Sequence, residues 1–260
     1  MFFCPPYSVE PCGLFSIGHL LLFLATAALI AVGLYLSRRM DAARVRTVIR
    51  AVTATVWVLE VLKILFVLLV TGSRNPNDYV PLYYCSLMLY AGLLSSLCKG
   101  GLRCVGDVFI ATGGLVGGVC FLISPNTSLP RYPAFHFISW HSFLLHGLMT
   151  YLGLLLLLRC YRPVLKDLKY CAALISTMCA IALAFNLIWD GTHPEARVAN
   201  LMFMSKDFPG TPITLLYRLT GPAFPLFMWL IQAFLPFLGV WGLYLLATRL
   251  YKGAFRRDEI

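Results

Sequence analysis

Two residues able to do covalent chemistry sit inside otherwise apolar stretches of this chain. Cys85 lies in Pro81-Leu82-Tyr83-Tyr84-Cys85-Ser86, and His141 lies in Ile138-Ser139-Trp140-His141-Ser142. A thiol beside an imidazole is the minimum set for moving an acyl chain through a thioester, because the imidazole takes the proton and the sulfur attacks a carbonyl carbon. Hydropathy predicts that each begins a membrane helix entering from the same side. Cys85 falls about five residues in, or roughly 7–8 Å along the axis, and His141 three or four, or roughly 5–6 Å. The bland reading of Cys85 is packing, since a free cysteine in a membrane helix behaves as a small hydrophobe. His141 is harder to set aside, because intramembrane ionisable residues are costly and face a bundle interior or a wet cavity.

Other polar groups cluster around this pair in sequence. Glu60 and Lys63 are i,i+3 neighbours within one apolar run, so they can neutralise each other as an intramembrane charge pair. His146 follows His141 by five residues, about 140° round a helix, so the two rings do not share a face. That argues against a two-histidine metal site, which wants i,i+4 spacing, and leaves His146 a supporting role. Tyr84, Ser86 and Trp140 flank the candidate nucleophile and base. A long polar segment, about 190–220, follows Phe185-Asn186-Leu187-Ile188-Trp189-Asp190 and carries His193 and Asn200. Loops of this length in compact bundles are usually functional. Asn186, Asp190, His193 and Asn200 are therefore supporting candidates, and Met202, Phe203, Met204 and Phe208 would suit a segment dipping into the lipid interface.

These residues must be positioned by helices in a membrane. Sixty percent of the 260 residues are hydrophobic, 12% are charged and mean hydropathy is +0.80, far from soluble averages. The apolar runs match the roughly 20 residues a spanning helix needs, and they lack the alternation of a transmembrane barrel. The expected fold is all-α and polytopic, a single domain over 1–260. Its seven transmembrane helices are expected at about 14–36, 48–71, 80–98, 104–123, 138–158, 169–189 and 221–247. The first lacks a basic n-region and a small-residue cleavage site, so it reads as a retained span and not a signal peptide. Gly113, Gly114, Gly117 and Gly118 in the fourth span would let helix backbones approach closely.

Charge sets an orientation. Fifteen Lys and Arg residues fall on one side of the spans, from Arg38 and Arg39 to Arg256 and Arg257, against five on the other. The positive-inside rule then predicts the N-terminus outside, the C-terminus in the cytoplasm, and a multi-pass protein of the plasma membrane. The net charge of +10 is thus a topology signal; a nucleic-acid footprint would need a basic face on a soluble module. Nine cysteines are scattered without a C-x-x-C or zinc-like spacing, so no metal or other cofactor is expected. Cys4 and Cys12 could form a disulfide in an oxidising compartment.

The Pro-Leu-x-x-Cys-Ser start of the third span, the histidine opening the fifth, and the Asn200-Leu-Met-Phe-Met…Leu-Thr-Gly-Pro stretch before the last span together resemble the YwaF-like integral membrane proteins. That bacterial group is similar to the eukaryotic multispanning acyltransferase that makes polyunsaturated ether phosphatidylethanolamines. The resemblance runs over roughly spans two to seven. It implies catalytic roles for Cys85 and His141 and a role for Asn200, with membrane lipids as substrates. In the eukaryotic relative the cysteine follows Asn-Pro and precedes a histidine; here its neighbours are Tyr84 and Ser86, so His141 is left as the base.

The expected function is a lipid acyltransferase, or transacylase, that passes an acyl chain between phospholipid and lyso-lipid through a Cys85 thioester. An integral membrane ester hydrolase uses the same parts. A transporter of small molecules or ions would use Glu60, Lys63, His141 and Asp190 as a polar path. A non-catalytic scaffold would use every polar residue as helix–helix glue.

Overall fold

The computed structural model describes residues 2–257, with side chains through residue 250; the side chains of the basic tail residues Lys252, Arg256 and Arg257 lie outside the described residues. The chain runs through α1 (Ile17–Leu36), α2 (Ala42–Thr71), α3 (Leu87–Leu97), α4 (Gly100–Ile123), α5 (Phe137–Arg159), α6 (Leu165–Thr192), α7 (Pro212–Thr220) and α8 (Phe224–Arg257). The described residues are helices and connecting segments throughout. All but α3 and α7 are long and apolar enough to cross a membrane.

Local chemistry sets the helix starts. Ser16 Oγ accepts from the His19 N–H, Asp41 from Arg44 and Thr211 from Ile213, each occupying one of the donors a first turn leaves open. Both α2 and α4 contain a π-helical turn, at Val67–Thr71 and Ile110–Gly114. α1 is mostly exposed along its length and packs on α5, anchored by His19 Nε2 against the Leu122 carbonyl and by Ser37 Oγ on the Tyr151 hydroxyl at 2.6 Å.

The seven-helix expectation needs one correction. The third crossing is not a full helix: α3 has 11 residues, about 16 Å of rise, roughly half a bilayer core. A single turn at Pro76–Tyr79 and a non-helical stretch over 80–86 make up the rest. Non-helical backbone survives at membrane depth only when protein buries it, and Leu82 and Ser86 are buried. Two further corrections concern the long segment over about 190–220. Leu201, Met202 and Met204 are buried in the protein core, so this stretch dips into the bundle and not into lipid. The amphipathic element is α7, with Leu215 and Leu219 exposed beside Arg218.

One end of the bundle carries an N-terminal arm. Tyr7 and Cys12 donate to the Arg131 and Tyr132 carbonyls, Gly13 to Leu129, and Phe137 to Phe2. Cys12 Sγ lies 2.9 Å from Ser16 Oγ and not in a disulfide. At the arm's centre His136 caps α5: its Nδ1 accepts the Ile138 N–H at 3.0 Å, while Nε2 lies 3.1 Å from the Cys4 carbonyl. The opposite end is held by Arg46, which donates two bonds of 2.6 Å to Asp107, itself bonded by Ser95 Oγ. This pair escaped the sequence reading, which counted Arg46 only as a topology charge.

Two predictions follow from these contacts. Gly106 sits where α4 crosses α3, and a Cβ there would meet the Ala91 carbonyl oxygen and the Ser95 backbone nitrogen. Gly106→Ala should cost about 1–3 kcal/mol, seen as a lower unfolding temperature in detergent, and a neutral result would break the close-approach argument. Capping by Nδ1 also requires a neutral His136 ring, and burial pushes its proton affinity below the ordinary histidine range. The arm's stabilisation is then present above about pH 6.5 and lost as pH falls below it, because the unfolded state binds the proton more readily. Hydrogen–deuterium exchange of residues 2–13, corrected for intrinsic rates, should quicken between pH 7.5 and 5, and His136→Ala should abolish that dependence.

Candidate functional site

Cys85 stands at the start of α3 and not five residues inside it. Leu87 donates to the Tyr83 carbonyl, Met88 to Cys85 and Leu89 to Ser86, so Tyr84, Cys85 and Ser86 form the first turn. Among the described residues the Tyr84 and Ser86 N–H groups donate to no acceptor, as befits a helix start, and the Cys85 N–H is turned to its own sulfur. The Ser86 hydroxyl makes no cap. The Tyr84 ring packs along Gly113 and Gly117 of α4 and against Phe109, its hydroxyl buried without a partner.

The depth of this turn can be read from its neighbour. α2 and α3 run antiparallel: Arg50 Nε reaches the Ser96 carbonyl, Thr53 meets Gly92, and Trp57 Nε1 donates to the Leu89 carbonyl at 3.2 Å. Continuing that register brings Ser86 and Cys85 to the level of Glu60. Glu60 is buried, takes Lys63 Nζ on Oε1 at 2.6 Å, and turns Oε2 toward His141 Nε2 at 4.0 Å. That approach sets His141 of α5 at the level of Glu60. His141 is 4% exposed, and neither ring nitrogen makes a hydrogen bond of good geometry, although the Leu59 carbonyl runs alongside. No hydrogen bond joins Cys85 to His141 among the described residues.

His146 faces α4 instead. Its ring stacks on Phe121 at 3.6 Å, and Nδ1 lies 2.6 Å from the Ser142 carbonyl. A carbonyl only accepts, so Nδ1 carries the proton and Nε2 presents a buried lone pair with no donor. Trp140 has no place in the site: it is half exposed on the outer face of α5 against Phe2 and Phe135.

The supporting residues on the long segment turn out to be its scaffold. Asn200 Oδ1 accepts the Ser205 and Lys206 N–H groups, and its amide nitrogen donates to the Lys206 and Asp207 carbonyls. With that nitrogen engaged, Asn200 is not a free donor to an oxyanion. Asn186 bonds both backbone groups of Leu201, and Asp190 pairs with Lys206 and accepts from the Ala199 N–H. His193 is exposed and stacks on Trp189. Asn77, which sequence reasoning missed, accepts from the Asn200 N–H and donates to the Val198 carbonyl; only the reach of an asparagine between two loops would have signalled it.

This scaffold holds a strained turn over the Cys85 segment. Met202 and Phe203 have φ of 54° and 52°, a left-handed conformation that persists in non-glycine residues only when the surroundings over-determine it. Met202 donates its N–H to the Leu82 carbonyl, Gln232 Nε2 donates to the Met202 carbonyl, and the Phe203 ring lies 5.2 Å from that of Tyr83. The segment is thus a strap that closes the arm end above Cys85.

The model of the TMEM164 family matches residues 14–247, spanning all the long helices. The chain belongs to the TMEM164 family. No curated protein and no solved structure matches. Membership establishes a multispanning membrane protein; the acyltransferase chemistry implied by the short motifs is not carried by the match.

The strap's dependence on Asn200 is testable. Asn200→Ala strands the backbone groups that it now partners, at about 1–3 kcal/mol. Trypsin should then cut at Arg197 or Lys206 in protein whose helices remain intact. Wild-type resistance at these sites retained by the variant would show that the amide does not hold the strap.

Proposed function

We propose that this protein is a membrane-embedded acyltransferase that passes a fatty acyl chain from a phospholipid to a lyso-lipid through a Cys85 thioester, with His141 as the base. The observation that carries the reading is a helix-start thiol with two neighbouring N–H groups that have no acceptor, at the level that the α2–α3 register gives Glu60, and a buried imidazole 4.0 Å from that carboxylate whose nitrogens make no hydrogen bond of good geometry. A helix N-terminus favours an anion, and N–H groups aimed at a developing charge are the parts of an oxyanion hole.

In this reading His141 takes the thiol proton and Cys85 Sγ attacks the ester carbonyl carbon. Negative charge gathers on the former carbonyl oxygen, where the N–H groups of the first turn of α3 are available to receive it. Collapse of the tetrahedral intermediate breaks the ester C–O bond. The leaving lyso-lipid oxygen takes the proton from the His141 imidazolium, and the acyl chain stays on sulfur. A second lyso-lipid hydroxyl then gives its proton to His141 and attacks the thioester carbonyl, and the departing thiolate recovers that proton. Thiolate formation in an apolar surround depends on this neighbouring imidazole.

The lipid-to-lipid direction is supported by charge. The positive-inside bias makes the arm end the outer one, away from cytosolic acyl-CoA, in a multi-pass protein of the plasma membrane. Membrane lipids are then both donor and acceptor, and the bundle supplies all the groups that the steps above use.

Intact-protein mass spectrometry in native lipid tests the proposal. Wild type should carry a hydroxylamine-sensitive acyl adduct that Cys85→Ala lacks, and its mass names the chain. His141→Ala should slow formation of the adduct by about 10²–10⁴-fold, the usual worth of a positioned base. An adduct that persists on Cys85→Ala, or no adduct under any phospholipid supply, would overturn the reading and favour the transport path through Glu60 and Lys63.

A further inference from the structure

The carboxylate beside His141 is tied to only one partner, although it is buried. Glu60 Oε1 holds the Lys63 ammonium at 2.6 Å, and Oε2 approaches His141 Nε2 to 4.0 Å, with Tyr90 of α3 also facing the carboxylate. The side chains of Glu60 and His141 are both 3% exposed. A structural ion pair needs no third member, and the bidentate Arg46–Asp107 pair shows how this protein closes one when closure is the purpose. Removing one partner of a buried charge pair is costly, so a carboxylate oxygen left facing a neutral ring is an unusual arrangement.

We propose that Glu60 is the positioning residue of the site: it faces Nε2 of His141, selects the tautomer with its proton on that nitrogen, and balances the imidazolium formed when Cys85 gives up its proton. This deepens the acyl-transfer reading and rests on it. The logic is that of a triad, in which a carboxylate orients the base and stabilises its charged form without taking the proton. With Nε2 turned to Glu60, Nδ1 is left to receive the thiol proton. Lys63 has its own part. Its ammonium pairs with the Glu60 carboxylate, so the resting cluster of Glu60, Lys63 and neutral His141 carries no net charge. Proton transfer adds one negative charge on sulfur and one positive charge on the ring, and the total stays zero throughout.

The titratable groups around His141 are Glu60 and Lys63 from α2 and His146 from its own helix; Tyr90 of α3 also faces Glu60, and Cys120 of α4 faces Cys85. The three around His141 are each varied in the test. Alkylation of Cys85 by N-ethylmaleimide is followed by peptide-resolved mass spectrometry from pH 5 to 10 in the full-length protein in nanodiscs, with the exposed Cys160 at the opposite end as internal reference. This readout needs no knowledge of the lipid substrate. At pH 7, Glu60→Gln should slow Cys85 alkylation about tenfold or more, since an opposite charge at this range favours the ionised form by that much. The whole profile should move to higher pH, and Glu60→Asp should recover part of the rate. Because Glu60→Gln strands the Lys63 ammonium, Glu60→Gln/Lys63→Met is measured beside it; this variant removes both charges and should show the same loss. His146→Gln should leave the profile in place.

Two opposite results separate the failures. If His141→Ala collapses the profile while both Glu60 variants retain it, the Cys85–His141 pair stands and Glu60 is merely a structural partner of Lys63. If His141→Ala also leaves the profile unchanged, the catalytic pair itself is wrong and the positioning role falls with it.

Discussion

The bilayer offers no water to a stray backbone group, and this constraint governs the architecture. Six crossings obey it with long helices. The third breaks off, leaving non-helical backbone over 80–86 that other parts of the chain must seal. The Val80 N–H finds Pro76 and the Leu82 N–H finds Val80; the Tyr90 hydroxyl donates to the Pro81 carbonyl. Among the described residues the Leu82 carbonyl is reached from outside its own segment, by Met202. That bond ties the strap to the break, and the strap's left-handed pair at Met202 and Phe203 is held in place by the amides of Asn77, Asn186, Asn200 and Gln232.

Charges inside the bundle obey the same rule, and the difference between the two sites is instructive. Arg46 and Asp107 satisfy each other with two bonds and recruit Ser95, so nothing is left over. Glu60 satisfies Lys63 with one oxygen and leaves the other to a ring that carries no formal charge. The first arrangement is complete as a clamp between α2 and α4. The second pairs its two charges through one oxygen and turns the other oxygen to His141 of a third helix.

Much of this was legible in the sequence, because hydropathy and charge report directly on the solvent. Six of the seven predicted spans became long helices, and the i,i+3 spacing of Glu60 and Lys63 became a real pair. The angular separation of His141 and His146 also held, with one ring turned to α2 and the other to α4. What failed was hidden by composition. Residues 80–98 are apolar enough to span, but Pro81 interrupts the helix, and the Leu82 carbonyl beside it is met by Met202, over a hundred residues away. Asn200 drew attention as a polar group near a predicted site, but a polar side chain in a loop serves the backbone as readily as a substrate, and its four bonds show which. Trp140 was implicated by adjacency to His141, and adjacency on a helix means a turn of about 100°, here enough to face lipid.

The broken helix and the position of Cys85 are one fact and not two. In an uninterrupted span the N–H groups of residues 84–86 would each be taken by a carbonyl four residues back, leaving a thiol in that turn beside a backbone with nothing to offer an anion. Starting α3 at this depth withdraws those carbonyls and leaves the Tyr84 and Ser86 N–H groups without an acceptor among the described residues, at the level that the α2–α3 register gives Glu60. The cost is a stretch of exposed backbone in a medium that does not tolerate it. A protein with no use for open N–H groups would close them by continuing the helix, which requires only ordinary apolar residues in place of Pro81. Keeping the proline, the strap and its amide scaffold makes sense if the open helix start is what the rest of the fold is built to protect.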